Sequence, residues 1–108
     1  MTTNSKKVPD APLMVVACAR LDEAVACYQK ALEIDAGDEV LWNNLGNALG
    51  KLGRDSLAIA SYREAIRRNP SYAEAYNNLG ILSSRRGLHR QALSYYRKSL
   101  QLEPGNPE

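Results

Sequence analysis

Apolar residues return at steps of three and four along most of this chain, and Gly, Pro and Asp mark where that rhythm stops. From Leu21 to Asp35, LDEAVACYQKALEID places its Leu, Ala, Val, Tyr and Ile at the spacing of one helical face. Asp22 and Glu23 near its start and Lys30 toward its end suit the helix dipole, and Ala36-Gly37-Asp38 breaks it. The next helix runs from Glu39 to Leu52, with Asp38 as N-cap and Leu41, Trp42, Leu45, Leu49 and Leu52 as its apolar stripe. Gly53-Arg54-Asp55 reads as a turn, with Asp55 or Ser56 capping a helix that continues through Leu57, Ala58, Ile59, Tyr62, Ala65 and Ile66 to about Asn69. Pro70 cannot continue that helix and pushes Asn69 toward extended geometry. The same plan follows again: a helix from about Tyr72 to Arg86, a turn at Gly87-Leu88-His89, and a helix to about Leu102. Residues 1–10, MTTNSKKVPD, have no period and read as a disordered tail, and residues 105–108 read as a second tail.

The second plan copies the first in register. Asn43, Asn44, Leu45 and Gly46 return as Asn77, Asn78, Leu79 and Gly80, while Tyr62, Arg63 and Pro70 return as Tyr96, Arg97 and Pro104, each pair 34 residues apart. A fixed period of this length signals a repeat architecture. Two antiparallel helices joined by a short turn must touch along their length. Gly46 with Ala58, and Gly80 with Ala92, offer small residues where they can approach, and Trp42, Tyr62, Tyr76 and Tyr96 fill the volume on either side. A single pair cannot cover its own apolar face, so pairs stack.

These positions resemble the tetratricopeptide repeat (TPR) family, a two-helix unit. Its pattern falls on Trp42, Leu45, Gly46, Ala58, Tyr62, Ala65 and Pro70, and again on Tyr76, Leu79, Gly80, Ala92, Tyr96, Ser99 and Pro104. The resemblance implies an all-α, right-handed superhelical stack of antiparallel helix pairs, with complete repeats at 37–70 and 71–104. Residues 11–36 make a partial first repeat whose second helix fits: Ala24, Tyr28 and Ala31 stand one period before Ala58, Tyr62 and Ala65. Its first helix does not fit, because Val8, Pro12 and Ala19 stand where Trp42, Gly46 and Gly53 stand later. Either a short helix from about Pro12 to Cys18 survives, or LMVVACARLDEAVACYQKALEI runs as one, which the continuous stripe favours. Uncovered apolar faces at both ends point to a piece of a longer array or to self-association.

In the resembling family, stacked first helices line a concave groove that takes extended peptides. Its counterparts here are Val40, Asn43, Asn44, Asn47, Gly50 and Lys51, then Glu74, Asn77, Asn78, Ile81, Ser84 and Arg85. Asn is a mediocre helix former, so five of them inside these helices point to a use. Side-chain amides in one register can match the donors and acceptors of an extended backbone. Asn44 and Asn78 resemble the asparagine ladder in the repeat region of O-linked N-acetylglucosamine transferases. Replacing both by Ala is expected to weaken partner capture with helicity and melting nearly unchanged. A clamp for a terminal carboxylate would need Lys at Asn43 and basic groups at Glu74, and is not expected. Lys51, Arg85 and Arg86 rim the groove, where they either favour acidic peptides or form a solvated face.

Composition narrows the remaining classes. A formal net charge of +2 announces neither nucleic acid nor an anionic membrane as partner, and no apolar run approaches the roughly 20 residues that span a bilayer. Lys6-Lys7 ahead of APLMVVACA mimics a signal or lipoprotein segment, but Pro9, Asp10 and Pro12 interrupt it, so a cytoplasmic protein is expected. Cys18 and Cys27 stand nine positions apart, which on one helix is about 13 Å and opposite faces, beyond disulfide reach; two buried thiols are expected. The single His89 lies in a turn without a nucleophile beside it, and no phosphate-cradling loop or zinc spacing occurs. No catalysis, cofactor or metal is therefore expected. The expected function is a scaffold that binds an extended peptide segment of a protein partner. Self-assembly through the terminal helices, or a place in a longer array, is the alternative.

Overall fold

A computed structural model describes the backbone of residues 13–103 and the side chains of residues 20–103. The two expected tails, the signal-like residues before Leu13 and Pro104 lie outside the described residues. Five helices follow one another: α1 Leu13–Ile34, α2 Glu39–Lys51, α3 Asp55–Arg68, α4 Ala73–Arg85 and α5 His89–Leu102. No strand occurs among the described residues. Helices α2 and α3 form one pair and α4 and α5 another, α1 lies against α2, and α3 against α4. The result is an all-α solenoid. Its radius of gyration of 16.4 Å exceeds the roughly 13 Å of a compact chain this long.

The helix ends follow from single residues. The Asp38 carboxylate accepts from the Val40 and Leu41 amides at 2.9 and 3.4 Å and caps α2. At its far end Gly53 adopts φ +82°, and the Arg54 amide donates to the Leu49 carbonyl at 2.9 Å. This is a left-handed cap that L residues resist. One period later Gly87 sits at φ +81° while the Leu88 amide reaches Ser83 at 2.8 Å. Ala19 occupies that register in the first copy, and there the backbone stays helical, so α1 is one unbroken helix. A β-carbon in place of the turn glycine accounts for the merger. Asp55 does not cap α3: the N-cap is Arg54, without a side-chain bond, and Asp55 lies inside the first turn. Asn69 takes the extended conformation expected of a residue before Pro.

The core is built from the first four helices: Val25 and Leu32 of α1, Leu45, Ala48 and Leu49 of α2, Ala58 and Tyr62 of α3, Leu79 and Leu82 of α4, with Leu79 and Leu82 one period after Leu45 and Ala48. At Gly46 the α2–α3 pair leaves no room for a side chain. A β-carbon there would stand 2.6 Å from the Tyr62 ring, and one at Gly80 would stand 2.6 Å from the Tyr96 ring. The notch therefore receives the tyrosine face; Ala58 is instead the neighbour of Gly50, 3.9 Å from where its β-carbon would be. Ala65 is fully buried, and its counterpart Ser99 satisfies its hydroxyl on the Ala73 carbonyl at 3.0 Å. Trp42 is half-buried, donates to the Ala36 carbonyl at 2.7 Å, and carries the Arg68 guanidinium over its ring at 5.2 Å, which ties the α1–α2 linker to the end of α3. Cys27 is exposed, contrary to the expected buried thiol. Val25, Tyr28 and Leu32 carry the packed face of α1, and Cys27 lies off it.

Candidate functional site

Helices α2 and α4 lie side by side, and the amide-bearing positions face each other across the seam. The Asn43 amide donates to the Glu74 carboxylate at 3.3 Å. The Asn78 amide nitrogen donates to Asn43 Oδ1 at 3.1 Å and to Asn47 Oδ1 at 3.2 Å. Asn47 Oδ1 also accepts from the Tyr62 hydroxyl at 2.7 Å. Glu74, Asn43, Asn78, Asn47 and Tyr62 thus form one continuous polar chain linking three helices. Burial pushes the Tyr62 phenol up to about 12, with Arg85 opposing that rise and Glu74 adding to it. A hydroxyl kept protonated suits its role as donor to Asn47.

This arrangement corrects the place of Asn43. It is fully buried, with its oxygen and nitrogen both engaged by neighbours, so it supports the row from beneath. Among the described residues it is unavailable to a ligand. Asn78 is half-buried and committed to α2, so its replacement would also loosen the seam between repeats. The expectation that Asn44 and Asn78 can be removed together without affecting melting is revised accordingly. Asn44 differs from its counterpart: half-buried, it makes no hydrogen bond among the described residues. Asn77 is exposed, and Ile81 stands where Asn47 stands one period earlier, 48 % exposed.

Two neighbouring clefts open on this side. One, about 210 Å³, is lined by Leu21, Ala24 and Tyr28 of α1 and by Asn44, Asn47, Ala48 and Lys51 of α2. The other, about 150 Å³, is lined by Asn47, Gly50, Lys51, Tyr62, Asn78, Ile81, Leu82 and Arg85. Asn47 and Lys51 belong to both, so the clefts are adjacent, and each carries two Asn and one Tyr. Lys51 is exposed and has no ion pair among the described residues. Arg85 is tied down by Asp55 at 2.9 Å and the Gly50 carbonyl at 3.3 Å. Val40, Glu74 and Ser84, also expected on this side, line neither cleft. Sequence reasoning missed Leu21, Ala24 and Tyr28, although Tyr28 standing 34 residues before Tyr62 was the available signal.

Comparison with known proteins agrees with this geometry. A family profile described as "Tetratricopeptide repeat" matches residues 43–107, more than half of the chain. The chain belongs to the tetratricopeptide repeat family. A second profile, "TPR repeat", matches residues 16–53 and so reaches into α1. No curated protein matches the sequence significantly. Similar solved structures include two of MamA, at 24 % and 25 % identity with TM-scores of 0.74 and 0.72. The match covers 77 % of this chain and 48 % and 45 % of theirs, so the chain spans about half their length. Another is the second TPR of Spaghetti (RPAP3) bound to the HSP90 peptide SRMEEVD, at 24 % identity and TM-score 0.73, with 77 % of each chain covered. TPR units are in general non-catalytic interaction modules, and protein or peptide partners are what they bind. Among the described residues no helix is long and apolar enough to cross a membrane, and no cluster of His, Cys, Asp or Glu could hold a metal ion.

Proposed function

We propose that this TPR protein is an interaction scaffold that binds an extended segment of a partner along the concave side formed by α2 and α4, with α1 as one wall. The observation that carries the proposal is the pair of adjacent clefts sharing Asn47 and Lys51. Together they offer apolar floor, amides and one unpaired cation within a single strip. Asn44 supplies a side-chain amide free to meet a peptide backbone, and the Asn43–Asn78–Asn47 chain holds the strip rigid. A preformed site has little ordering entropy to overcome, so modest contact area suffices. A solved relative binds an acidic peptide, and Lys51 gives this strip a positive centre. The asparagine register resembles the ladder of O-linked N-acetylglucosamine transferases, which supports backbone-directed, sequence-tolerant binding. The scaffold is proposed to work in the cytoplasm and to perform no chemistry itself.

A peptide-display selection against the wild-type chain, followed by affinity measurements on the selected peptides, tests this. Asn44→Ala combined with Lys51→Ala should weaken binding about tenfold, the loss expected for one or two hydrogen bonds. Unchanged affinity, with the fold intact by circular dichroism, would remove the strip from the binding surface.

A further inference from the structure

The charges are sorted along the stack. From Glu33 to Glu39 the sequence EIDAGDE holds four acids and no base, whereas from Ala75 to Leu102 there are five cations and no acid. In the structure the acidic run forms the corner where α1 gives way to α2, and at its centre Ile34 is 89 % exposed, far more than any other large apolar side chain described. Lys30 stands one turn back, and Arg68, the cation that reaches the linker, is held by Glu64 and by the Trp42 ring. At the opposite end, one face of α5 forms an open cleft of about 470 Å³ lined by Arg90, Leu93, Ser94, Arg97, Lys98 and Gln101. Its apolar floor, Leu93, is 49 % exposed. None of its three cations has an ion pair among the described residues.

An exposed apolar residue flanked by carboxylates and an exposed apolar residue flanked by unpaired cations are complementary in sign and in character. They cannot meet within one chain, because α1 packs on α2 alone and α5 on α4 alone. We propose that the Ile34 corner of one copy docks into the α5 cleft of a second copy. Ile34 rests on Leu93, and Glu33 and Asp35 face Arg90, Arg97 and Lys98 of the next chain. A docked pair still has one free knob on one copy and one free cleft on the other, so the contact is heterologous and propagates head to tail. The face involved is α5, away from the amide strip, so this association and peptide binding are separable.

Sedimentation velocity of the full chain tests the proposal. The weight-average mass should rise with concentration past that of a dimer and fall as salt screens the charges. Ile34→Glu should lack the knob, and Arg97→Glu with Lys98→Glu should lack the cleft. All three positions are exposed, so both variants should keep wild-type circular dichroism. Each variant alone should be monomeric, and an equimolar mixture should form a one-to-one dimer and nothing larger, because each retains the half the other lost. A wild-type chain that stays monomeric up to millimolar concentration overturns the proposal. So does a mixture that fails to pair, or an Ile34→Glu chain that still assembles.

Discussion

At the scale of single residues, the fold depends on a ring seated against a missing side chain. A methyl group at Gly46 would lie 2.6 Å from the Tyr62 ring, and that ring is itself fixed by the hydroxyl bond to Asn47. Overpacking of this kind costs about 1–3 kcal/mol, while Ala in a helix recovers about 1 kcal/mol over Gly. Gly46→Ala should therefore lower stability by about 1 kcal/mol in urea unfolding. Gly80→Ala should lose less, because Tyr96 is only half-buried and, among the described residues, none holds its hydroxyl as Asn47 holds that of Tyr62. The same tyrosine makes a pH prediction. Its folded pKa is raised from 10.0 to about 12, so the protonated form favours the folded state. That contribution is complete below pH 10 and is lost as pH climbs toward 12. Tyr62→Phe should flatten the alkaline fall of the melting temperature across this window, and an unchanged slope would assign the fall to other groups.

At the scale of elements, a turn glycine decides whether two helices or one are made. Gly53 and Gly87 hold left-handed backbones at the same register, and Ala19, which would need to do likewise, lies in unbroken helix. Gly53→Ala should cost about 1–2 kcal/mol through backbone strain. Nothing lies within 4 Å of its β-carbon position, so packing adds no further penalty. The helices and their pairing were legible in the sequence because period, caps and breakers are local signals. Ends set by tertiary partners were not: Asp55 looked like a cap, and its carboxylate instead pairs with Arg85 thirty residues on. Asn43 and Asn44 are likewise adjacent in sequence and similar in propensity, yet one is fully buried and the other only half-buried. Which of two neighbouring amides faces the next helix depends on how the pairs stack, and helical periodicity does not report it.

At the scale of the whole molecule, a stack in which each helix pair touches only the next should not open as one unit. Helix α2 buries five residues and α5 only Ala92 and Ser99. Hydrogen exchange should accordingly be slowest in α2 and α3 and fastest in α5, graded from the middle outward. Uniform protection across all helices would contradict the nearest-neighbour architecture. The central functional claim concerns one strip of this stack, and an amide-resolved NMR titration with a selected peptide tests it most directly. Shifts are expected at Asn44, Asn47, Lys51, Asn78 and Ile81, with the outward faces of α3 and α5 silent. Shifts confined to α5 or to the corner around Ile34, with that strip unmoved, would contradict it.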